Sequence, residues 1–392
     1  MSVQATCLAS YDTRYSADSV EWLHGDIDSV PSDADLGIFV CGTYQLINPI
    51  TKEFIVPGEA NPSPLQECLD TEDSEKLNSD KAIRSGNIQV FKASTESPHL
   101  EPIQTVETSA SLDLKWSFKK LNVSGVQANV LGQADAIGQL SLYSWSPSEN
   151  KLSLQTQSKF EHIEGGEKEV LALSLDWSNK LHESDPFIAV SFSDGTLGTL
   201  EVGSKSDGNI CCSTQQRWKC HDFEAWIAAV NYWCPTTVFS GGDDAKLKGW
   251  DLRMVSEACA NPSWVNKSHM MGVCSIQANP HREHIIATGS YDETLRIFDT
   301  RKMRAPLKEV SVGGGVWRVR WHPSLHSSVL VAAMHGGFHI VDVDLDMPET
   351  CPEITRSFLG HQSLAYGADW CPITSQQKVA SCSFYDHKLC LW

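Results

Sequence analysis

Residues 240–253 (SGGDDAKLKGWDLR) and 288–301 (TGSYDETLRIFDTR) are near copies of each other. Each reads as an apolar strand, a tight turn at Asp244 or Asp292, and a second strand closed by an aromatic residue and an acid, Trp250-Asp251 or Phe298-Asp299. Apolar residues alternating on both sides of a Gly/Asp-rich turn make a β-hairpin. A lone hairpin cannot bury its apolar face, so one that recurs along a chain has to stack against its own copies.

Fainter copies lie at 187–201, 329–342 and 378–392, turning at Asp194, His335 and Asp386, and two weaker ones upstream end at Gln139–Trp145 and Asn87–Phe91. In the complete copies the turn Asp precedes the closing acid by seven residues, as in 194 to 201, 244 to 251 and 292 to 299. Each of the seven hairpins follows another strand-like run: Ser19–Leu23, Leu112–Trp116, Leu171–Trp177, Ala225–Tyr232, Val273–Ala278, Val316–Trp321 and Ala365–Trp370. The Trp-Asp endings and their spacing resemble WD40 repeats, whose four-stranded blades run about 40–45 residues. The expected fold is all-β, a seven-bladed WD40 β-propeller.

Because the last hairpin ends on Trp392, blade seven lacks an outer strand, and the apolar segment Val3–Ser10 is the expected donor. Joining both chain ends in one blade closes the ring and removes two sheet edges that would template aggregation. Residues 1–392 would then be one domain. An insertion at 47–84, rich in Pro, Asn, Asp and Glu, is expected to be a disordered acidic loop between the middle strands of blade one. A second polar stretch, 146–168, is expected to hold an outer strand at Lys151–Gln157 and a Glu/Gly-rich connection.

Lys and Arg number 31 against 49 Asp and Glu, a formal charge of −18. Phosphates would be repelled, which argues against a nucleic-acid groove, while basic proteins and cationic ligands would be attracted. No run approaches the roughly 18 apolar residues of a membrane helix, and the N-terminus lacks the charged-then-apolar pattern of a secretory leader. The 13 cysteines are scattered without a Cys-x-x-Cys pair. Their odd number, and their placement inside expected strands (Cys41, Cys274, Cys382, Cys390), reads as buried reduced thiols of a cytoplasmic protein with no metal site and no cofactor. A monomer is expected.

His221, His269 and His361 fall at blade starts, where a WD40 histidine links the turn Asp to a Ser or Thr and the Trp of the hairpin. In blade four that set would be His221, Ser240, Asp244 and Trp250, a structural network rather than a catalytic one. His335 differs. It takes the turn-Asp position of blade six, yet Val341 stands where Trp would be and Gly313-Gly314-Gly315 where Gly-His would be. An imidazole without those structural partners, flanked by Gly336 and Gly337, is a candidate general base; a plain surface histidine is the alternative. One residue before each turn position stand Ser193, Asp243, Tyr291, Met334 and Tyr385, which in a propeller surround the mouth of the central channel. Trp226 and Trp317, at inner-strand starts, and Asp222 and Glu224, close before Trp226, would face the same end. Packing between blades is the ordinary reading of each aromatic, and their convergence is what raises a binding site. No nucleophile elbow, phosphate loop or zinc-protease motif is present.

The runs CHDFEAWIA at 220–228, SGGDD at 240–244, WDLR at 250–253, GGGVWR at 313–318 with WHP at 321–323, and AMHGGF at 333–338 together resemble the diphthine methyl ester esterase family of the diphthamide pathway. The likeness covers the second half of the chain well, and the first half through Ser19–Trp22 and general layout. It implies an enzyme, a carboxylic ester hydrolase, whose protein partner is elongation factor 2. Removing the methyl ester on the modified histidine of that factor would free the carboxylate for the final amidation to diphthamide. The implied substrate carries a quaternary trimethylammonium beside the ester, a group that aromatic faces hold at about 0.5–2 kcal/mol per contact. Trp226, Tyr291, Trp317 and Tyr385 suit that need. The residues themselves suggest His335 as the base activating water and Asp243 or Glu224 as the nearby carboxylate, with Asp222 beside them. Backbone N–H groups of Gly313–Gly315 or of Gly336 and Gly337 would receive the oxyanion. The competing reading is a non-enzymatic scaffold: Trp250 to Arg253 and Phe298 to Arg301 also resemble the WDxR boxes of substrate receptors for cullin-based ubiquitin ligases.

Overall fold

Five of the seven sheets are built only from strands that follow one another in sequence, and each of the other two adds one N-terminal strand to three or four consecutive ones. The computed structural model describes residues 2–24, 35–49, 54, 82–94, 99–160, 169–205, 208–256, 260–347, 349–373 and 377–392. Among them all elements are strands, arranged in seven sheets that form the blades of a propeller and are antiparallel except for Val3–Gln4. The inner strands are Ser16–Trp22, Ser111–Trp116, Ala172–Trp177, Ile227–Val230, Val273–Ala278, Arg318–Trp321 and Ala365–Trp370. These strands are buried along their whole length in every blade but the fifth, because each packs against the inner strands of the blades on both sides. Among the described residues no helix is long and apolar enough to cross a membrane.

The histidine network expected in blade four is formed. His221 Nδ1 lies 2.7 Å from the Asp244 carboxylate and Nε2 lies 2.8 Å from Ser240 Oγ, which also accepts the Trp250 indole N–H at 2.9 Å. Blade seven repeats the motif with His361, Ser381 and Trp392. In blade five Phe298 replaces the Trp, His269 reaches Thr288 at 3.0 Å, and Asp292 is held by Arg296. Deleting one member of a buried network leaves the others unsatisfied. Ser240→Ala is therefore expected to lower stability by about 1–3 kcal/mol, read as an earlier midpoint in urea unfolding.

The N-terminal strand closes the ring, with a register that differs from the expected Val3–Ser10. Ala9–Asp12 is the fourth strand of blade seven, antiparallel to Lys388–Leu391, whereas Val3–Gln4 runs parallel to Glu353–Phe358 on the outer edge of blade six. Burial explains the choice. Ala9, opposite Leu391, is packed into a core cluster with Leu389 and Leu391, while Val3 stays 65% exposed.

In blade one, Asp35–Ile47 and Ile83–Ser94 pair as far as Ile47 and Ile83, the two ends of the acidic insertion. Within that insertion residues 50–53 and 55–81 lie outside the described residues, so the expected loop does too. The outer strand of blade two is Lys151–Lys159; residues 161–168 after it are also outside the described set.

Candidate active site

Five inner strands carry a β-bulge near their start. Their pairing shifts between Ala17 and Ser19, Ser111 and Asp113, Ala172 and Ser174, Val273 and Ser275, and Ala365 and Ala368. A bulge leaves a residue outside the ladder and re-aims its side chain. The residues so placed include Asp18, Leu112, Leu173, Cys274 and Tyr366. Trp226 and Trp317, each one residue before the inner strands of blades four and six, hold the equivalent places. These side chains converge at one end of the channel. The six apart from Asp18 belong to one hydrophobic cluster, and Asp18, Leu112, Leu173, Ser174, Trp226, Cys274, Trp317 and Arg318 line a cleft of about 330 Å³ with the open solvent at its mouth included.

Hairpin turns supply the rim. Tyr291, Met334 and Tyr385 pack against the same cluster. Trp226 meets Tyr291 edge-on at 6.2 Å between ring centroids and Trp317 at 5.9 Å, and Trp317 stacks on Tyr366 at 4.8 Å. Tyr366 contacts Phe384, which contacts Tyr385 in turn. Four aromatics named from sequence thus share one surface with two that were not.

The polar residues named from sequence are placed as follows. Asp243 accepts the Trp226 indole N–H at 3.0 Å, and its own N–H donates to the Glu224 carbonyl at 2.9 Å, so this carboxylate fixes the plane of Trp226. The Glu224 side chain is half-buried, and Asp222 is exposed and bonded to Lys246 at 2.6 Å. His335 is exposed, next to buried Met334. Its turn is tight: Met334 has φ 39° and Gly337 φ 82°, a left-handed value that favours glycine. Gly336 N–H donates to Ala333 O at 2.6 Å and Gly337 N–H to Met334 O at 3.3 Å. A Cβ on Gly314 would lie 2.1 Å from Ala333 O, so the glycine run 313–315 can lie flat against the His335 turn. Gly315 itself borders Met334 and Tyr291. The N–H groups of Gly313, Gly314 and Gly315 donate to no carbonyl among the described residues.

Asp18 is the residue that sequence reasoning missed. Burial pushes its carboxyl up to about 8, against the pull of the Arg318 guanidinium and with the help of Asp113. Its Oδ1 has no hydrogen-bond partner, nor have the Trp317 indole N–H and the Tyr366 hydroxyl. Buried polar atoms normally find partners, so three orphans around one cleft point to polar contacts made by something that enters it. A signal existed in the sequence. Four residues before the strand-ending Trp22, Trp116, Trp177, Trp321 and Trp370 stand Asp18, Leu112, Leu173, Trp317 and Tyr366, a column in which a carboxylate is out of place.

The channel is filled below this ring. Arg318, from blade six, reaches Asp113, from blade two, at 3.2 Å. Three residues beyond the ring, Arg320 pairs with Glu21 and, at 3.9 Å, with Asp369, and Lys115 pairs with Asp176 at 3.6 Å. Access to the cleft is therefore from the hairpin-turn end. At the closing ends of their hairpins, the Arg253 and Arg301 guanidinium groups each make two hydrogen bonds to the Asp two residues earlier, Asp251 and Asp299.

A model of the WD domain, G-beta repeat, matches residues 261–299. The chain is 38% identical to the Homo sapiens protein named diphthine methyltransferase over 96% of its own length and 77% of that protein's. It is 39% identical to the Mus musculus protein of the same name, over 97% and 72%. Its identity to the Dictyostelium discoideum diphthine methyltransferase homolog is 34%, over 96% of both chains. With the propeller, the cleft at its channel mouth and relatives of this identity over nearly its whole length, the chain belongs to the WD-repeat family of diphthine methyltransferases.

Proposed function

We propose that this protein acts in diphthamide biosynthesis by hydrolysing the methyl ester of methylated diphthine on elongation factor 2. The observation that carries the reading is the cluster at the channel mouth: Trp226 and Trp317 line the cleft, with Tyr291 and Tyr366 packed against them, beside a buried carboxyl. Trimethylammonium has no N–H to donate, and π faces are the surface that attracts it. With the cation seated there, the ester next to it would lie at the rim, by the His335 turn and the Gly313–Gly315 segment. In the proposed reaction His335 takes a proton from water while the water oxygen bonds to the ester carbonyl carbon. The oxyanion is received by the N–H groups of Gly313–Gly315, since those of Gly336 and Gly337 are engaged within the turn. Collapse breaks the bond to the methoxy oxygen, which leaves as methanol with the proton held by His335. Asp243 is the positioning residue for Trp226, Glu224 supports Asp243 through its carbonyl, and Asp222, Tyr385 and Gly337 shape the rim.

The relatives are named for methyl transfer, so the test has to separate the two directions. Purified protein incubated with elongation factor 2 carrying labelled methylated diphthine is expected to release the label as methanol with no added methyl donor. Label that stays on the factor, or that enters it from a methyl donor, would turn the reading from hydrolysis to transfer. Because Arg253 and Arg301 are turned onto their own Asp residues, the double variant Arg253→Ala/Arg301→Ala is expected to keep wild-type methanol release. A loss in that variant would favour a docking role for the WDxR pair.

A further inference from the structure

Asp18, 3% exposed, is the only acid among the residues that line the cleft, the others being Leu112, Leu173, Ser174, Trp226, Cys274, Trp317 and Arg318, with Tyr366 stacked on Trp317. The bulge between Ala17 and Ser19 is what aims it there. The guanidinium nearest to it, Arg318, is already bonded to Asp113. One carboxyl oxygen therefore has no partner, next to stacked Trp317 and Tyr366. A neutral apolar ligand would leave the carboxyl as orphaned as before. A quaternary ammonium needs no acceptor and is attracted by π faces and by one nearby negative charge.

We propose that Asp18 is the counter-ion of the quaternary ammonium group that the aromatic ring binds, and that it gives up its proton to solvent as the cation enters. The inference rests on the reading of the cleft as a trimethylammonium site, to which it adds a residue and a proton. The balance is simple: neutral carboxyl plus cation gives the carboxylate–cation pair plus one proton in water. Burial holds the empty-site carboxyl protonated at neutral pH, and an adjacent cation favours the charged form. The other groups around it are accounted for. Asp113 and Arg318 are bonded to each other; Tyr291, Tyr366, Cys274 and Cys382 are kept protonated by burial; the Cys41 thiol packs beside Cys382. One layer down, Glu21, Lys115, Asp176, Arg320 and Asp369 are ion-paired.

The test uses choline as the cation and 3,3-dimethylbutan-1-ol as its neutral isostere, titrated calorimetrically into the full chain from pH 6 to 9 in buffers of different ionisation heat. Choline is expected to release most of one proton at pH 7, with a Kd that falls up to about tenfold per pH unit below about pH 8 and levels off above it. The isostere is expected to release none. Asp18→Asn, which keeps the shape and removes the charge, should bind choline weakly with no pH dependence. Choline binding without proton release in the wild-type chain, or no choline binding at all, overturns the proposal whether or not the variant folds. So does Asp18→Asn binding choline at pH 9 as tightly as wild type. No ester takes part, so the two readings fail separately. Proton-linked choline binding without methanol release overturns hydrolysis alone, and methanol release without proton-linked choline binding overturns the counter-ion role alone.

Discussion

Removing residues 1–12 is expected to cost this protein most of its stability. Without Ala9–Asp12 the strand Lys388–Leu391 becomes a sheet edge, and Leu389 and Leu391, now fully buried, lose their cover. Hydrogen bonds from Leu8 N–H to Leu391 O and from Ala5 N–H to Ser357 O, joining the segment to blades seven and six, go as well. Uncovering a few large apolar side chains at about 25 cal/mol per Å² amounts to several kcal/mol, comparable with the roughly 5–15 kcal/mol that keeps a domain folded. A fall in Tm of about 10 °C or more, with concentration-dependent association through the bared edge, is the expected result. Light scattering and a thermal scan on the truncated chain check it. If the truncated chain melts as the intact one does and stays monomeric, the ring is not held closed by this strand.

His335→Ala is expected to fold normally and lose about 10²–10⁴-fold in ester hydrolysis, the usual contribution of a general base. The side chain is exposed and makes no hydrogen bond or ion pair among the described residues, so its removal has little to destabilise. Asp292→Ala is the contrast. Asp292 accepts the Met270 N–H at 2.8 Å and is bonded twice to Arg296, so that variant should lose stability in blade five, with activity falling as the folded fraction falls. Added imidazole should restore part of the turnover of His335→Ala and none of that of Asp292→Ala. Should His335→Ala keep full turnover, the base lies elsewhere, with Asp243 and Glu224 next in line.

The propeller was legible because a blade is a local object. Turn acids such as Asp244 and Asp292, strand-ending tryptophans and the His221 network all recur at fixed spacing, and each reports pairing between neighbours in sequence. The rim aromatics Trp226, Tyr291, Trp317 and Tyr385 could be named for the same reason: their distance from a turn fixes which end of the channel they occupy. The closing strand was legible only in part. Its existence follows from a last hairpin without an outer partner, but its register depends on which residues fit the core beside Leu389 and Leu391, a contact that joins opposite ends of the chain.

By itself, then, the sequence determined the repeat, the seven blades, the closure by the N-terminal strand and the end of the channel at which the rim aromatics gather. All of these follow from short-range spacing and from the need of each hairpin to bury its face. Only the tertiary structure decided what the cleft contains. Asp18, Cys274 and Tyr366 come from blades one, five and seven, and they meet because a bulge in each inner strand turns one side chain toward the channel axis. The surroundings of Asp18 were likewise set by the fold: burial pushes its carboxyl up, and the opposing pull of Arg318, which is bonded to Asp113, does not offset it.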